Sequence, residues 1–135
     1  MDVAIIVDSS SSVRRQNFET VKTFLIALVS KISVSHRATH VGVIRYNHKP
    51  FLDWDFKSDS AENLANLIEA IKKMVYKPGG TRTDKALEMA ESKLFSCAGG
   101  ERPNVPHVLI VITDGKTSRR SKKYEDVLRP FKVLK

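Results

Sequence analysis

The residues best suited to chemistry are an aspartate and four serines at positions 8–12, directly after the apolar stretch at residues 3–7. Side chains at alternate positions of an extended chain lie on one side, so Asp8, Ser10 and Ser12 can face a common point. Carboxylate and hydroxyl oxygens are hard ligands that suit Mg²⁺, Mn²⁺ or Ca²⁺ and suit zinc or copper poorly. A serine run alone is typical of a flexible turn, but its place after a strand-like stretch favours a divalent-cation site.

A second carboxylate, Asp114, follows the other long apolar stretch, residues 108–112. Both stretches are rich in β-branched residues, which is typical of strands buried on both faces of a parallel sheet. If the two strands are parallel neighbours, Asp114 lies beside Asp8 at the carboxyl edge of the sheet, where open α/β sheets bind ligands. Two converging carboxylates repel each other unless a cation lies between them. A third polar cluster, residues 79–83, falls in a loop expected at the same edge.

The remaining elements define the scaffold. Apolar residues recur at spacings of three and four over residues 18–32, 64–71 and 83–95, which predicts helices, and a weaker helix is predicted at 121–128. Residues 41–46 predict another strand, and residues 51–54 predict a short antiparallel edge strand after a turn. Asp59 and Glu62 resemble a capping box for the second helix. The alternation predicts an α/β fold, with a mostly parallel sheet and helices on both faces.

Composition limits the class of protein. The chain has 135 residues, enough for one domain, and is 41% hydrophobic and 28% charged, as soluble globular proteins are. Its longest apolar runs are too short to span a bilayer, so no membrane span is expected. Cys97 is the single cysteine, which excludes an intramolecular disulfide and a multi-cysteine metal site. We expect it to be a half-buried structural thiol.

The net charge of +8 is concentrated at the end of the sequence. Residues 115–135 contain eight Lys and Arg against two acidic residues, whereas the first 114 residues contain 15 basic and 13 acidic ones. A solvated helix face is the simpler interpretation. The alternative is a metal-independent surface for anionic polysaccharide or, less favoured, nucleic acid. Its candidate residues are Lys116, Arg119, Arg120, Lys122 and Lys123.

Three motifs together resemble the von Willebrand factor A domain. Asp8-x-Ser10-x-Ser12 matches its D-x-S-x-S motif, residues 79–83 match its G-G-T-x-T loop, and residues 113–115 match its strand ending in T-D-G. They occur in the family's order, and the resemblance covers essentially the whole chain. It implies a single domain over residues 1–135 with a Rossmann-like three-layer sandwich, and a metal-ion-dependent adhesion site at the three motifs.

The resemblance also implies a role for each residue. Ser10 and Ser12 would bind the ion directly, and Thr81 would do so when a partner is bound, whereas Asp8 and Asp114 would act through bound water. Mg²⁺ is the expected ion, with Mn²⁺ or Ca²⁺ as alternatives. Because few carboxylates touch it directly, the ion keeps positive charge, and an acidic residue of a partner can complete its coordination. We therefore expect an extracellular adhesion or matrix-assembly module. Thr83 is expected to cap the following helix.

Residues 99–109 are similar to the extracellular-matrix branch of the family, which includes matrilins, collagen VI-type chains and invertebrate matrix, shell and skeleton proteins. This similarity implies a secreted protein of the extracellular matrix. Because the basic segment at residues 115–135 directly follows Asp114, we expect part of it to border the same site and to favour acidic partners, including sulfated polysaccharide or the acidic proteins of a mineralised matrix. Full-length members of the family continue with two more strands and a helix. We therefore expect the domain to be truncated at its C-terminal end.

Enzymatic interpretations find less support. Asp8 after a buried strand is similar to the nucleophile of haloacid dehalogenase-type phosphatases, but those need a second aspartate where this chain has Ser10. Neither a G-x-G-x-x-G loop nor a Walker lysine follows the first strand. The histidines at positions 36, 40, 48 and 107 lie at the ends of predicted elements, and surface or capping roles are expected for them. No enzymatic activity is predicted.

Overall fold

The computed structural model describes residues 1–35 and 37–113. A short 3-10 turn, Asp59–Ala61, precedes the second helix, and a π-helical turn, Ala90–Leu94, follows the third. The strands and α-helices of this part of the chain are β1 (Asp2–Asp8), α1 (Arg15–Val29), β2 (His40–Tyr46), β3 (Pro50–Trp54), α2 (Leu64–Lys72), α3 (Thr83–Met89) and β4 (His107–Ile112). None of the helices in this described part is long and apolar enough to cross a membrane.

The strands form one sheet in the order β3-β2-β1-β4. β1 is parallel to both β2 and β4, and β3 is antiparallel to β2 at the edge. The register pairs Val7 with Ile112 and Asp8 with Tyr46, so the carboxyl ends of the three parallel strands lie together. The predicted mostly parallel sheet with an antiparallel edge strand is confirmed.

The core has two layers because residues of β1 alternate between the two faces of the sheet. Val3, Ile5 and Val7 pack with apolar residues of α1 and α2, such as Phe18 and Leu67. Ala4 and Ile6 pack on the other face with residues of β2 and α3, including Ile44, Ala86 and Leu87. Helices therefore cover both faces, which confirms the three-layer architecture, and β1 is buried along its whole length.

The second helix begins later than the capping-box interpretation implied. Asp59 belongs to the 3-10 turn, where Ser58 accepts a hydrogen bond from the Ser60 backbone nitrogen. α2 begins at Leu64, and the cap is Asn63, whose side chain accepts a hydrogen bond from the Asn66 nitrogen at 2.8 Å. Asn63 is the N-cap because it has the extended backbone that this position requires and lies immediately before the apolar stripe of the helix.

The third helix changes form at Ala90, where the Phe95 nitrogen donates to the Ala90 carbonyl at 2.9 Å in a π-helical turn. The turn that follows requires Gly99, since a Cβ there would lie 2.2 Å from the Lys93 carbonyl oxygen. Cys97 lies in this turn and is exposed. The expected half-buried environment of this thiol is therefore wrong, because the helix ends before it.

A buried polar cluster lies at the amino ends of the parallel strands. Asp2 is fully buried at the start of β1 and pairs with Arg102, with an Nη2 to Oδ1 distance of 2.8 Å. His40, the first residue of β2, is 8% exposed, and its Nδ1 lies 3.8 Å from the Asp2 carboxylate. The expected surface role of His40 is therefore wrong, because the parallel pairing of β1 with β2 places this side chain beside a buried carboxylate.

Candidate metal centre

Asp8 ends β1 with its carboxylate fixed on both oxygens. Oδ1 accepts a hydrogen bond from the Ser10 backbone nitrogen at 2.8 Å, and Oδ2 accepts one from the Thr113 hydroxyl at 3.0 Å. The second bond follows from the register of β1 and β4, which carries Thr113 past the end of the sheet beside Asp8. Asp8 is 2% exposed. The ends of β1 and β4 therefore lie side by side, as predicted, as far as Thr113, the last described residue.

Ser10 and Ser12 face each other as their alternate spacing predicts, with 3.1 Å between their hydroxyl oxygens. Ser10 is buried and Ser12 is exposed, so the pair spans the depth of the site. Ser9 points elsewhere: its hydroxyl donates to the Tyr46 carbonyl at 2.9 Å, with a longer contact of 3.4 Å to that of Lys77. The serine run therefore divides into a facing pair and a residue that anchors the turn.

The loop at residues 79–83 lies against the serine run. The Ser11 backbone nitrogen donates to the Gly79 carbonyl at 3.1 Å, which joins the two loops directly. Gly79 has little space, because a Cβ there would lie 2.9 Å from the His48 ring. Thr81 is partly buried in this loop, and its hydroxyl makes no hydrogen bond to any described residue. The Thr81 hydroxyl oxygen is therefore uncommitted among the described residues, in a loop that is bonded to the serine run through Gly79.

Thr83 does not cap α3, contrary to expectation. It is the first residue of that helix, is fully buried and shares a hydrogen bond of 2.8 Å with the Tyr46 hydroxyl. The residue in the cap position is Arg82, which makes no capping bond with its side chain. Arg82 instead pairs with Asp84, and these hydrogen bonds raise the pKa of Arg82. Thr83 therefore serves the core between β2 and α3.

Two supporting residues were not found from the sequence. Asn47, buried directly after β2, donates to the Lys77 carbonyl at 3.1 Å, and its own carbonyl accepts from the Arg82 nitrogen at 2.9 Å. The Tyr76 hydroxyl donates to the Ser10 carbonyl at 3.3 Å. A polar residue directly after a buried strand was a usable signal for Asn47, because strand ends meet at this edge. Tyr76 gave no such signal, since nothing local relates it to Ser10.

The donor set fits a hard divalent cation. Within the described part of the chain, no group of three histidine, cysteine or acidic side chains could hold a metal ion, so the site proposed here depends on hydroxyls supported by Asp8. The Ser10 and Ser12 hydroxyls bond to each other alone among described residues, which leaves oxygen lone pairs free on both. Neutral and anionic oxygens without nitrogen or sulfur donors match the preference of Mg²⁺, Mn²⁺ or Ca²⁺.

Other predicted site residues lie outside the described residues. They are Asp114 and the proposed anion-binding residues Lys116, Arg119, Arg120, Lys122 and Lys123, together with the predicted helix at 121–128.

The fold and the site define the class of protein. A mostly parallel sheet with helices on both faces, and a D-x-S-x-S loop at the carboxyl end of its central strand, is the arrangement expected of a von Willebrand factor A domain. The family model described as the von Willebrand factor type A domain matches residues 2–135. The chain belongs to this family.

Curated relatives identify the branch. The chain is 38% identical to matrilin-1 from Gallus gallus over 117 residues, which cover 87% of this chain and 23% of the relative. It is 33% identical to vitrin from Mus musculus over 129 residues, which cover 96% of this chain and 18% of the relative. The chain thus spans about a fifth of the length of these relatives. They confirm the expected extracellular-matrix type and its secreted location.

A solved structure agrees with the fold. Proximal thread matrix protein 1 from the mussel byssus, in a structure with a zinc-occupied MIDAS motif, superposes with a TM-score of 0.86. The match covers 96% of this chain and 34% of that chain at 21% sequence identity. At this identity the similarity supports the fold alone, and it confirms the Rossmann-like three-layer sandwich.

Proposed function

We propose that this domain binds a divalent cation through Ser10, Ser12 and Thr81, and that the bound ion recognises an acidic residue of a matrix protein. The observation that carries the proposal is that the Ser10 and Ser12 hydroxyls face each other directly after the buried Asp8 carboxylate, yet neither bonds another part of the described protein. The Thr81 hydroxyl, in the adjoining loop, is likewise uncommitted among the described residues. Asp8 and Asp114 would offset part of the positive charge of the ion through bound water. The bound ion would supply a positive centre for one carboxylate of the partner.

Recognition suits this geometry better than catalysis. Both oxygens of Asp8 accept hydrogen bonds, so the carboxylate is held in place and is not presented as a nucleophile. Its neighbours at the site are hydroxyls, which carry no charge for acid or base chemistry near neutral pH. The matrix relatives favour the same conclusion. We therefore infer a non-enzymatic adhesion or matrix-assembly module in a larger secreted protein.

Thermal unfolding with and without metal tests the ion site. An ion that binds only the folded state at a hundred times its Kd stabilises the protein by about 2.7 kcal/mol, so Mg²⁺ should raise the Tm above its value in chelator. Mn²⁺, Ca²⁺ and Zn²⁺ are compared in parallel to establish the preferred ion. A folded chain whose Tm is unchanged by any of them does not have this function.

Two serines of one loop provide matched variants. Ser12 belongs to the facing hydroxyl pair, whereas Ser11 is also exposed but bonds to Gly79 through its backbone nitrogen. Ser12→Ala should lose most of the metal-induced rise in Tm, and Ser11→Ala should keep it. Equal responses of the two variants would contradict the assigned ligands even if the protein binds metal.

A further inference from the structure

The loops at the carboxyl edge of the sheet are unusually basic. Residues 9–15, 47–49 and 73–82 contain six Lys and Arg and no acidic residue. The connections at the opposite edge, residues 30–39, 55–63 and 95–106, contain four basic and four acidic residues. The excess of positive charge in the described part of the chain is therefore located around the proposed ion site and not spread over the surface.

We define the basic rim as Arg14, Arg15, Lys49 and Lys77, which form no ion pair with any described residue, although Lys77 also interacts electrostatically with Asp53. All four are exposed. Two of them rest on aromatic rings, because Arg15 lies over Tyr76 at 5.5 Å and Lys77 lies over Phe51 at 5.8 Å. An aromatic ring holds a cation in position without neutralising its charge, so the rim remains available to an anion.

Arg15 is tied most closely to the proposed site. The Tyr76 ring beneath it packs on Phe18 of the core at 5.6 Å, and the Tyr76 hydroxyl donates to the Ser10 carbonyl at 3.3 Å. One tyrosine side chain thus separates the guanidinium from the loop that carries the facing serines. This contact holds Arg15 against the tyrosine that bonds the Ser10 loop, and such pre-orientation lowers the entropy cost of binding an anion there.

We propose that the basic rim, and Arg15 in particular, binds a second acidic side chain of the same partner segment. This inference rests on the proposed function. The partner is then a protein segment with clustered acidic residues, in which one carboxylate reaches the ion and another, two to four residues away, reaches Arg15. An extended segment spans about 7–13 Å over that distance. A protein segment suits the site because the proposed function already places one acidic side chain of a matrix protein on the ion, and a second one on the same segment meets an unpaired cation in Arg15.

Synthetic peptides and the full chain test this proposal in Mg²⁺ at low salt. One labelled peptide carries a single aspartate in a Gly-Ser background, and the second carries another aspartate three residues away. Fluorescence anisotropy should give a Kd about threefold to fivefold lower for the two-aspartate peptide, as expected for one exposed ion pair. That gain should disappear in high salt, whereas binding of the first aspartate should remain dependent on Mg²⁺.

Arg15→Gln should abolish the gain and leave the affinity for the single-aspartate peptide unchanged. Lys31→Gln is the matched control, because it removes one exposed positive charge just after the opposite end of α1. It should preserve the gain. Both variants should keep the wild-type Tm and its response to Mg²⁺, since neither side chain is buried.

The failures of the two proposals differ. Mg²⁺-dependent binding of both peptides with equal affinity, or a gain that survives Arg15→Gln, overturns the second anchor and leaves the ion site intact. Absence of Mg²⁺-dependent binding by either peptide overturns the proposed function and this inference with it. Peptide binding that survives chelation, is lost in Arg15→Gln and is displaced by a sulfated oligosaccharide would show a metal-independent polyanion surface, which also overturns the inference.

Discussion

Replacing Arg102 with methionine should destabilise the domain more than any exposed substitution, because this side chain joins the amino ends of two strands. Its Nε donates to Asp2 Oδ1 at 2.9 Å. Its Nη2 donates to the carbonyl of Met1 at 2.9 Å and to that of Ala38 at 2.7 Å, just before β2. Methionine has a similar apolar stem but removes all three hydrogen bonds and the charge that balances Asp2.

The size of the loss follows from the burial of Asp2. Removing one partner of a buried ion pair costs about 3–5 kcal/mol, because the remaining charge has no compensation. The lower part of this range applies here, since the Arg102 side chain is 26% exposed and the substitution retains the backbone nitrogen, which donates to Asp2 at 2.7 Å in the wild type. We expect a loss of about 3 kcal/mol and a fall in Tm of about 10 °C for a domain of this size.

Urea denaturation at neutral pH measures the loss. Arg37→Met is the control, because Arg37 is exposed and has no ion pair within the described residues, and its effect should stay within about 0.5 kcal/mol. Asp2→Asn combined with Arg102→Met leaves no buried charge unpaired, so the double variant should lose less than the sum of the single variants. A loss below about 1 kcal/mol for Arg102→Met, or strict additivity, would refute the importance given to this buried pair.

Lys22 should contribute nearly as much to stability as Arg102. Its buried ammonium donates to the carbonyls of Lys72 and Met74 at 2.8 and 3.0 Å. Lys22→Met should therefore lower the free energy of unfolding by about 2–3 kcal/mol in urea denaturation. Loss below 1 kcal/mol would contradict this. Asp53 offers a test by pH: burial raises its pKa above the ordinary 3.8 despite the ion pair with Arg45. The stability of the wild type relative to Asp53→Asn should therefore fall as pH rises from 3.8 through that raised pKa, as followed by Tm, and a difference that grows with pH would be the contrary result.

Much of the fold could be predicted because burial on two faces leaves a clear pattern. Residues 3–7 are all apolar, and β1 packs against helices on both sides as that composition requires. Local signals were weaker where two candidates compete, as Asp59 and Asn63 do for the start of α2. The environment of His40 had no local signal, because its neighbour Asp2 is brought close by strand pairing across 38 positions.

The parts of the site that depend on local spacing were predictable, and the parts that depend on long-range contacts were not. The alternate spacing of Ser10 and Ser12 sufficed to place their hydroxyls together, since the geometry is local. The loops around them are fixed by long-range contacts that sequence spacing does not reveal. The bond from Tyr76 to Ser10 joins residues 66 positions apart, and the bond from Thr113 to Asp8 joins residues 105 positions apart.

The charged residues at the two ends of the sheet have different roles: those at the amino end stabilise the fold, whereas those at the carboxyl end are proposed to bind the partner. At the amino end, charges are paired and buried, as in the bridge between Asp2 and Arg102. At the carboxyl end, the cations of the basic rim form no ion pair with a described residue. Arg14 there adopts φ 69° and ψ 151°, a backbone conformation that costs a non-glycine residue about 1–3 kcal/mol. Mutual repulsion and backbone strain there lower the free energy of unfolding, whereas an anionic partner would relieve the repulsion on binding. Neutralising a rim lysine such as Lys49 should therefore leave stability unchanged or raise it, while every loss of charge in the buried pair at the other end should lower it.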